Sequence, residues 1–275
     1  MSSSVSYTGP DGRLAGTIRT PGRGPVNSIE VRNVHKAFGT AKVLAGVNVN
    51  FPDNAITTVL GPSGTGKSVL LKHIVGLLEP DAGEVCVFGQ NIWSVNEKER
   101  YELRKRFGVL FQDGALFGSM DLYDNVAFPL RKHTRKSESE IREIVMSHLS
   151  EVGLEKATRK APNEISGGMR KRAGFARALV MQPDVVMFDE PDSGLDPVRT
   201  QLLCQLINKV HKEHGGTYVV ITHDIASART VSDYIGVLWH GQMVHYGDAE
   251  EAFSSQDPFV RQFLAGDGEG PLGMD

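Results

Sequence analysis

Cysteine is nearly absent. Cys86 and Cys204 are the only two in 275 residues, too few for a disulfide framework or a zinc site. Neither sign of charge dominates. The 30 Lys and Arg against 33 Asp and Glu leave a formal net charge of −3. That excludes the basic field with which proteins grip nucleic acid regardless of sequence. No apolar run approaches the roughly 18 to 20 residues that a bilayer span needs. The start, Met1-Ser2-Ser3-Ser4-Val5, lacks a charged region followed by an apolar stretch, so no signal peptide is expected. A secreted mini-protein, a membrane span and a zinc domain are thereby set aside. The remaining expectation is a soluble cytosolic α/β protein, long enough to bury a full core in one or two domains.

Residues 1–27 are rich in Gly, Pro and Ser, and a tail without a fold of its own is expected there. Residues 28–34 and 43–51 cluster β-branched residues as antiparallel strands do. Residues 55–60 form a short apolar run that ends in glycine-rich sequence, the pattern of a buried strand feeding a loop. A helix over 68–78 is closed by Glu79-Pro80-Asp81-Ala82-Gly83. Strands follow at 83–88 and 108–111, with a charged helix at 97–106 between them.

Residues 114–182 read as mostly helical. Ser137 and Glu140 have the spacing of a capping box. Ile141, Val145 and Leu149 then share one helix face, and Gly153 stands where a helix ends. A second helix is expected over 168–181. Strands at 185–188, 217–222 and 234–239 alternate with helices at 197–213 and 224–231, which implies a parallel sheet with right-handed crossovers. A further strand, 243–246, follows the turn at Gly241-Gln242. Pro258 suits the first turn of a last helix. Its Phe259, Phe263 and Leu264 would either pack on their own subunit or form a strap to a partner. A flexible end over 266–275 is expected beyond it.

Gly61-Pro62-Ser63-Gly64-Thr65-Gly66-Lys67-Ser68 matches the P-loop pattern G-x-x-x-x-G-K-[ST], with a strand expected before it and a helix after. The glycines let backbone N–H groups close on phosphates, and the helix dipole attracts anions. Lys67 is expected to reach the β/γ-phosphates and Ser68 to ligate Mg²⁺. Val185-Val186-Met187-Phe188-Asp189-Glu190 places two acids after four apolar residues. A buried parallel strand delivers them to the edge where ligands bind in open α/β sheets. Asp189 can hold Mg²⁺ through water, and Glu190 can orient or deprotonate the attacking water. A guanine-reading N-K-x-D is missing, since Asn208-Lys209-Val210-His211 lacks the Asp.

Ile165-Ser166-Gly167-Gly168-Met169 resembles the L-S-G-G-Q signature of ATP-binding-cassette (ABC) ATPases. The resemblance covers about residues 28–250. It implies an α/β P-loop ATPase with a parallel core sheet, an N-terminal antiparallel β-subdomain and an inserted helical subdomain at about 114–182. Residues 251–275 would then be a C-terminal extension. It further implies that Ser166, Gly167, Gly168 and Met169 meet the γ-phosphate of ATP held by a second subunit. Gln112 resembles the Q-loop glutamine that contacts Mg²⁺ and the attacking water. Ser193-Gly194-Leu195-Asp196 resembles the D-loop of the dimer interface. His223 resembles the switch histidine, and Phe38 the aromatic residue that stacks on adenine. Catalysis would thus fall to Glu190, His223, Gln112 and Lys67, with Ser68, Gln112 and Asp189 around Mg²⁺.

Phe38 stands where Tyr is commoner in the family. Two departures from the family pattern narrow it: Met169 replaces the usual signature Gln, and residues 111–131 are distinctive. Met169, with residues 111–131, is similar to the ATPases of bacterial Mla and Mce (mammalian cell entry) lipid transporters. Asp192 to Asp196 and the N-terminal composition lean toward the actinobacterial, Mce-associated type. Phe117, Met120, Leu122 and Phe128 would line a groove for a permease. The implied protein is a homodimeric ATPase subunit working with separate permease subunits and Mce-type lipid-binding proteins, on the cytoplasmic face of the inner membrane. The alternative is the ATPase of an importer for small polar solutes such as amino acids. A chromosome-structuring ABC ATPase would carry a long coiled coil between P-loop and signature. Here Ser68 and Ser166 are 98 residues apart, with no sustained heptads. A translation-type ATPase would need two cassettes, and one is found.

Overall fold

The computed structural model describes residues 5–8, 14–18, 26–267 and 269. A short antiparallel pair comes first, β1 (Val5–Thr8) with β2 (Leu14–Ile18). The expectation of no structure over residues 1–27 is corrected at these nine positions and at Asn27, which begins the next strand. Overall composition concealed a β-prone Val5-Ser6-Tyr7-Thr8 followed by turn-favouring Gly9-Pro10-Asp11-Gly12. Such a pair is marginal alone in water, and among the described residues it joins no other strand. The other residues of the expected tail up to 25 lie outside the described set, as does the expected flexible end beyond Asp267, except Glu269.

β3 (Asn27–Phe38) and β4 (Ala41–Pro52) pair antiparallel and run longer than their sequence pattern suggests. Register shifts between Val31 and Val34 and between Lys36 and Ala37 explain this. A bulge breaks the two-residue alternation without ending the strand. β5 (Ile56–Leu60) is buried along its whole length and leads into α1 (Lys67–Ile74). Then come β6 (Ala82–Val87), β7 (Gln90–Asn91), α2 (Glu97–Arg104) and β8 (Phe107–Leu110). The order β4-β3-β6-β7 makes one four-stranded antiparallel sheet.

The inserted region holds α3 (Leu122–His133), α4 (Glu138–Glu151) and α5 (Gly167–Leu179). Ser137 and Glu140 form the expected capping box. Residues 114–121 are irregular rather than helical. The buried Asn125 side chain holds this loop by donating to Phe117 O, Met120 O and Asp121 O and accepting from Phe117 N. Of the groove candidates, Leu122 is core, while the Phe117 and Phe128 rings lie 4.9 Å apart at the surface.

The chain returns through β9 (Val185–Asp189), α6 (Pro197–His214), β10 (Thr217–Thr222), α7 (Ile225–Val231), β11 (Tyr234–Trp239) and β12 (Gln242–Asp248). The six-stranded order is β12-β11-β5-β10-β9-β8, parallel except for β12. One face of this sheet packs under the helical insertion and α6. The other shares a core with the antiparallel sheet and α1. Placing β9 and β10 beside β5 brings their C-terminal ends together, which is what builds the site.

α8 (Ala249–Phe253) and α9 (Pro258–Ala265) close the fold. α8 spans five residues, too few to show helical periodicity, and the Asp248 side chain caps it. α9 packs on its own subunit. Val260 and Leu264 are buried with Val237, Ala249 and Ala252, and Phe259 meets the Trp239 edge at 5.8 Å. The Leu264→Ala variant should therefore lose about 2–5 kcal/mol of unfolding free energy, read from the urea midpoint, with nucleotide affinity unchanged. An unmoved midpoint would mean that the helix is not anchored as described.

Candidate nucleotide site

The loop after β5 is shaped by contacts that only glycine permits. A Cβ on Gly61 would lie 2.3 Å from Leu238 O on β11. Gly66 has φ 101, and a Cβ there would meet Leu44 and Val43 at 2.9 Å. A Cβ on Gly64 would meet nothing, so that side of the loop is open. Thr65 Oγ1 donates to Pro62 O at 2.9 Å across the turn, and Ser63 is exposed. No side chain caps α1, and its first turn carries no acid. Its N-terminal N–H groups and dipole are thus available to an anion.

Lys67 is only 4% exposed. Its ammonium donates to Gly61 O at 2.7 Å and Pro62 O at 2.8 Å, and lies 3.9 Å from Glu190 Oε1. Burial pushes its pKa down, opposed by the charges of Glu190 and Asp189. Ser68 Oγ donates to Asp189 Oδ1 at 2.9 Å. Burial pushes the Asp189 carboxyl up, and the Ser68 hydrogen bond pulls it down. This hydroxyl–carboxylate pair at an uncapped helix start has the oxygen donors a hard cation such as Mg²⁺ takes. The loop and pair together fit a magnesium-bound nucleoside triphosphate.

Glu190 follows Asp189 with φ 48, a left-handed conformation costing on the order of 1–3 kcal/mol in a non-glycine residue. Its amide is fixed by donation to Ile221 O at 2.8 Å. Its carboxylate stands between Lys67 and the half-exposed His223, whose Nδ1 is 3.7 Å away. Gln112 Nε2 donates to Ser193 Oγ at 3.1 Å. Lys67, Ser68, Asp189, Glu190, His223 and Gln112 thus gather at the C-terminal edge of the parallel strands.

The signature residues do not join that cleft. Ser166 Oγ caps α5 by accepting from Met169 N at 3.3 Å. Ser166, Gly168 and Met169 line a cavity of about 380 Å³ with Leu195, Arg199 and Leu202, and no phosphate-loop residue lines it. Gly167 is exposed beside them, and Met169 packs against the helical core. Asp196 is exposed and caps α6, accepting from Arg199 N at 3.0 Å. Phe38 ends β3 with its ring half exposed and the Lys36 ammonium 5.7 Å from its centroid.

Three residues of the cleft were not anticipated. Lys171 of α5, 6% exposed, donates to Glu190 O at 3.3 Å and to Ser193 O. Asp192 is buried and accepts from Thr222 Oγ1 at 2.6 Å, and Thr222 Oγ1 accepts from Asp224 N at 2.9 Å. The available signal was a charge on an apolar face. Lys171 shares helical spacing with the buried Phe175 and Ala178.

This fold and cleft define a P-loop ATPase of the ABC type. Residues 44–193 match the ABC transporter family, and the chain belongs to it. It is the ATP-hydrolysing, nucleotide-binding subunit of an ABC transporter. The probable ribonucleotide transport ATP-binding protein mkl of Mycobacterium leprae is 52% identical, over 92% of this chain and 73% of its own length. The intermembrane phospholipid transport system ATP-binding protein MlaF of Haemophilus influenzae is 41% identical, over 90% of this chain and 93% of its own. A dimeric ATP-binding cassette solved after hydrolysis, with ADP and Pi, is similar with a TM-score of 0.74 and 31% identity. That match covers 80% of this chain and 98% of the solved one.

The close approach at Gly61 gives a direct test. Gly61→Ala should cost about 1–3 kcal/mol of stability through overpacking and weaken ATP binding measured by calorimetry. Gly118→Ala, where a Cβ meets nothing and φ is ordinary, should leave both unchanged.

Proposed function

We propose that ATP is hydrolysed at a composite site built from two copies of this chain, and that hydrolysis drives lipid movement through separate permease subunits. The carrying observation is the division of the site. Lys67, Asp189, Glu190 and His223 share one cleft, while Ser166 and Gly168 line another cavity with no phosphate-loop residue in it. A second copy placed head to tail supplies the missing half.

In this reading Lys67 turns its donors from the Gly61 and Pro62 carbonyls to the β/γ-phosphates. The loop N–H groups from Ser63 to Ser68 cradle the same oxygens. Ser68, Asp189 and Gln112 hold Mg²⁺, which when bound neutralises phosphate charge. Phe38 stacks on adenine. Glu190 takes the proton of the attacking water, and His223 donates to the γ-phosphate. Ser166, Gly167 and Gly168 of one copy close on the γ-phosphate of the other, with Met169 beside them and Asp196 at the shared interface.

The lipid assignment rests on Met169, on residues 111–131 and on the phospholipid-transport relative. No helix of the described residues is long and apolar enough to cross a membrane. Attachment to the cytoplasmic face of the inner membrane would therefore come through permease subunits, with Mce-type proteins beyond them. A second reading, a small polar solute, draws on the relatives named for ribonucleotide transport at 52–53% identity.

Glu190→Gln should bind ATP normally yet hydrolyse it on the order of 10²–10⁴-fold more slowly, and accumulate as an ATP-bound dimer on size exclusion. Near-normal turnover would remove Glu190 as base. The cargo is tested separately, by purifying the chain with its membrane partners and analysing bound molecules by mass spectrometry. Phospholipid co-purification with lipid-stimulated ATPase is expected. Stimulation by ribonucleotides or amino acids alone would favour the second reading.

A further inference from the structure

Glu190 occupies a backbone conformation that needs support at both ends. Its amide is held by Ile221 O at 2.8 Å. Its carbonyl is held from a different subdomain, by the Lys171 ammonium at 3.3 Å. The same ammonium donates to Ser193 O. Ser193 N in turn donates to Glu190 O at 3.2 Å, and Ser193 Oγ accepts from Gln112 at 3.1 Å. Lys171 lies in the second turn of α5, the helix that Ser166 caps. One buried cation therefore joins the turn carrying Glu190 to the helix carrying the signature residues.

The chemistry suits a clamp better than a solvent-facing lysine. A buried ammonium is costly unless its donors are used. Two of its three go to the Glu190 and Ser193 carbonyls. Asp192 and Asp113 add favourable charge from nearby. Asp192 is itself buried and tied through Thr222 Oγ1 to the Asp224 amide just after His223.

We propose that Lys171 is a positioning residue for ATP hydrolysis, gripping the Glu190 and Ser193 carbonyls so that the Glu190 carboxylate is aimed only while α5 is docked. Docking of the signature helix and aim of the base are then one event. This rests on the reading of Glu190 as the base, and the test separates the two.

The test is a double-mutant cycle on the full chain assembled with its membrane partners. Single-turnover hydrolysis of radiolabelled ATP and ATP affinity are both read. Lys171→Met should slow hydrolysis about 10–100-fold, the scale expected for a misplaced catalytic group, with ATP affinity held within about twofold. Lys171→Arg, which keeps cationic donors, should recover part of the rate. In the Glu190→Gln background, Lys171→Met should cause no further loss, because the group it positions is already gone.

Equal loss in both backgrounds, loss of affinity in step with rate, or no loss at all would overturn the proposal while leaving Glu190 as base. Normal hydrolysis by Glu190→Gln would overturn the base reading, and the proposal with it. Should Lys171→Met fold poorly, Lys171→Gln is read through the same cycle, and the same outcomes decide.

Discussion

A buried positive charge is the constraint around which the cleft is organised. An ammonium taken out of water costs several kcal/mol unless it is paired and hydrogen-bonded. Lys67 meets that condition through Gly61 O, Pro62 O and the carboxylate of Glu190. Each partner depends on something further away. The two carbonyls are in reach because Gly61 lies against β11 and Gly66 against β4. The carboxylate is in reach because β10 is flanked by β5 and β9. Sheet order, loop shape and charge placement are three aspects of one solution.

Two hydrophobic cores meet across the parallel sheet, and the polar cleft lies along its edge. The helical insertion has its own apolar contacts through α3, α4 and α5. It also reaches the cleft through the Lys171 ammonium, which meets at Ser193 the Gln112 amide from the loop after β8. Apolar contact tolerates sliding better than directional hydrogen bonds do. A small shift of α5 would therefore be felt at Glu190 through its carbonyl before the core was disturbed.

Local chemistry was legible in the sequence, and long-range pairing was not. The phosphate loop is eight contiguous residues with glycines at the strained positions. The strand ends carrying Asp189 and His223 were legible because a short apolar run ends abruptly in polar residues. Ser137, Asp196 and Ser166 are all helix caps at the expected helix starts. By contrast, Lys171 and Ser193 are 22 residues apart, and no periodicity relates them. The bulges in β3, the five-residue α8 and the β1–β2 pair were missed because each is shorter than the window in which a pattern can repeat. The cis packing of α9 could not be read either, since an apolar stripe does not say which surface it covers.

The state of Lys67 bears on how binding energy is used. Both carbonyl bonds of the ammonium lie within the loop that would cradle phosphate, so an arriving phosphate competes with the loop for the same donors. Part of the attraction is then spent releasing Gly61 O and Pro62 O. The uncapped start of α1 offsets this, because its N–H groups have no side-chain partner to give up. A weakly charged ligand could use the helix start without displacing the ammonium. A triphosphate has enough charge to do both. Discrimination for a polyanion therefore follows from where the lysine rests as well as from where it reaches.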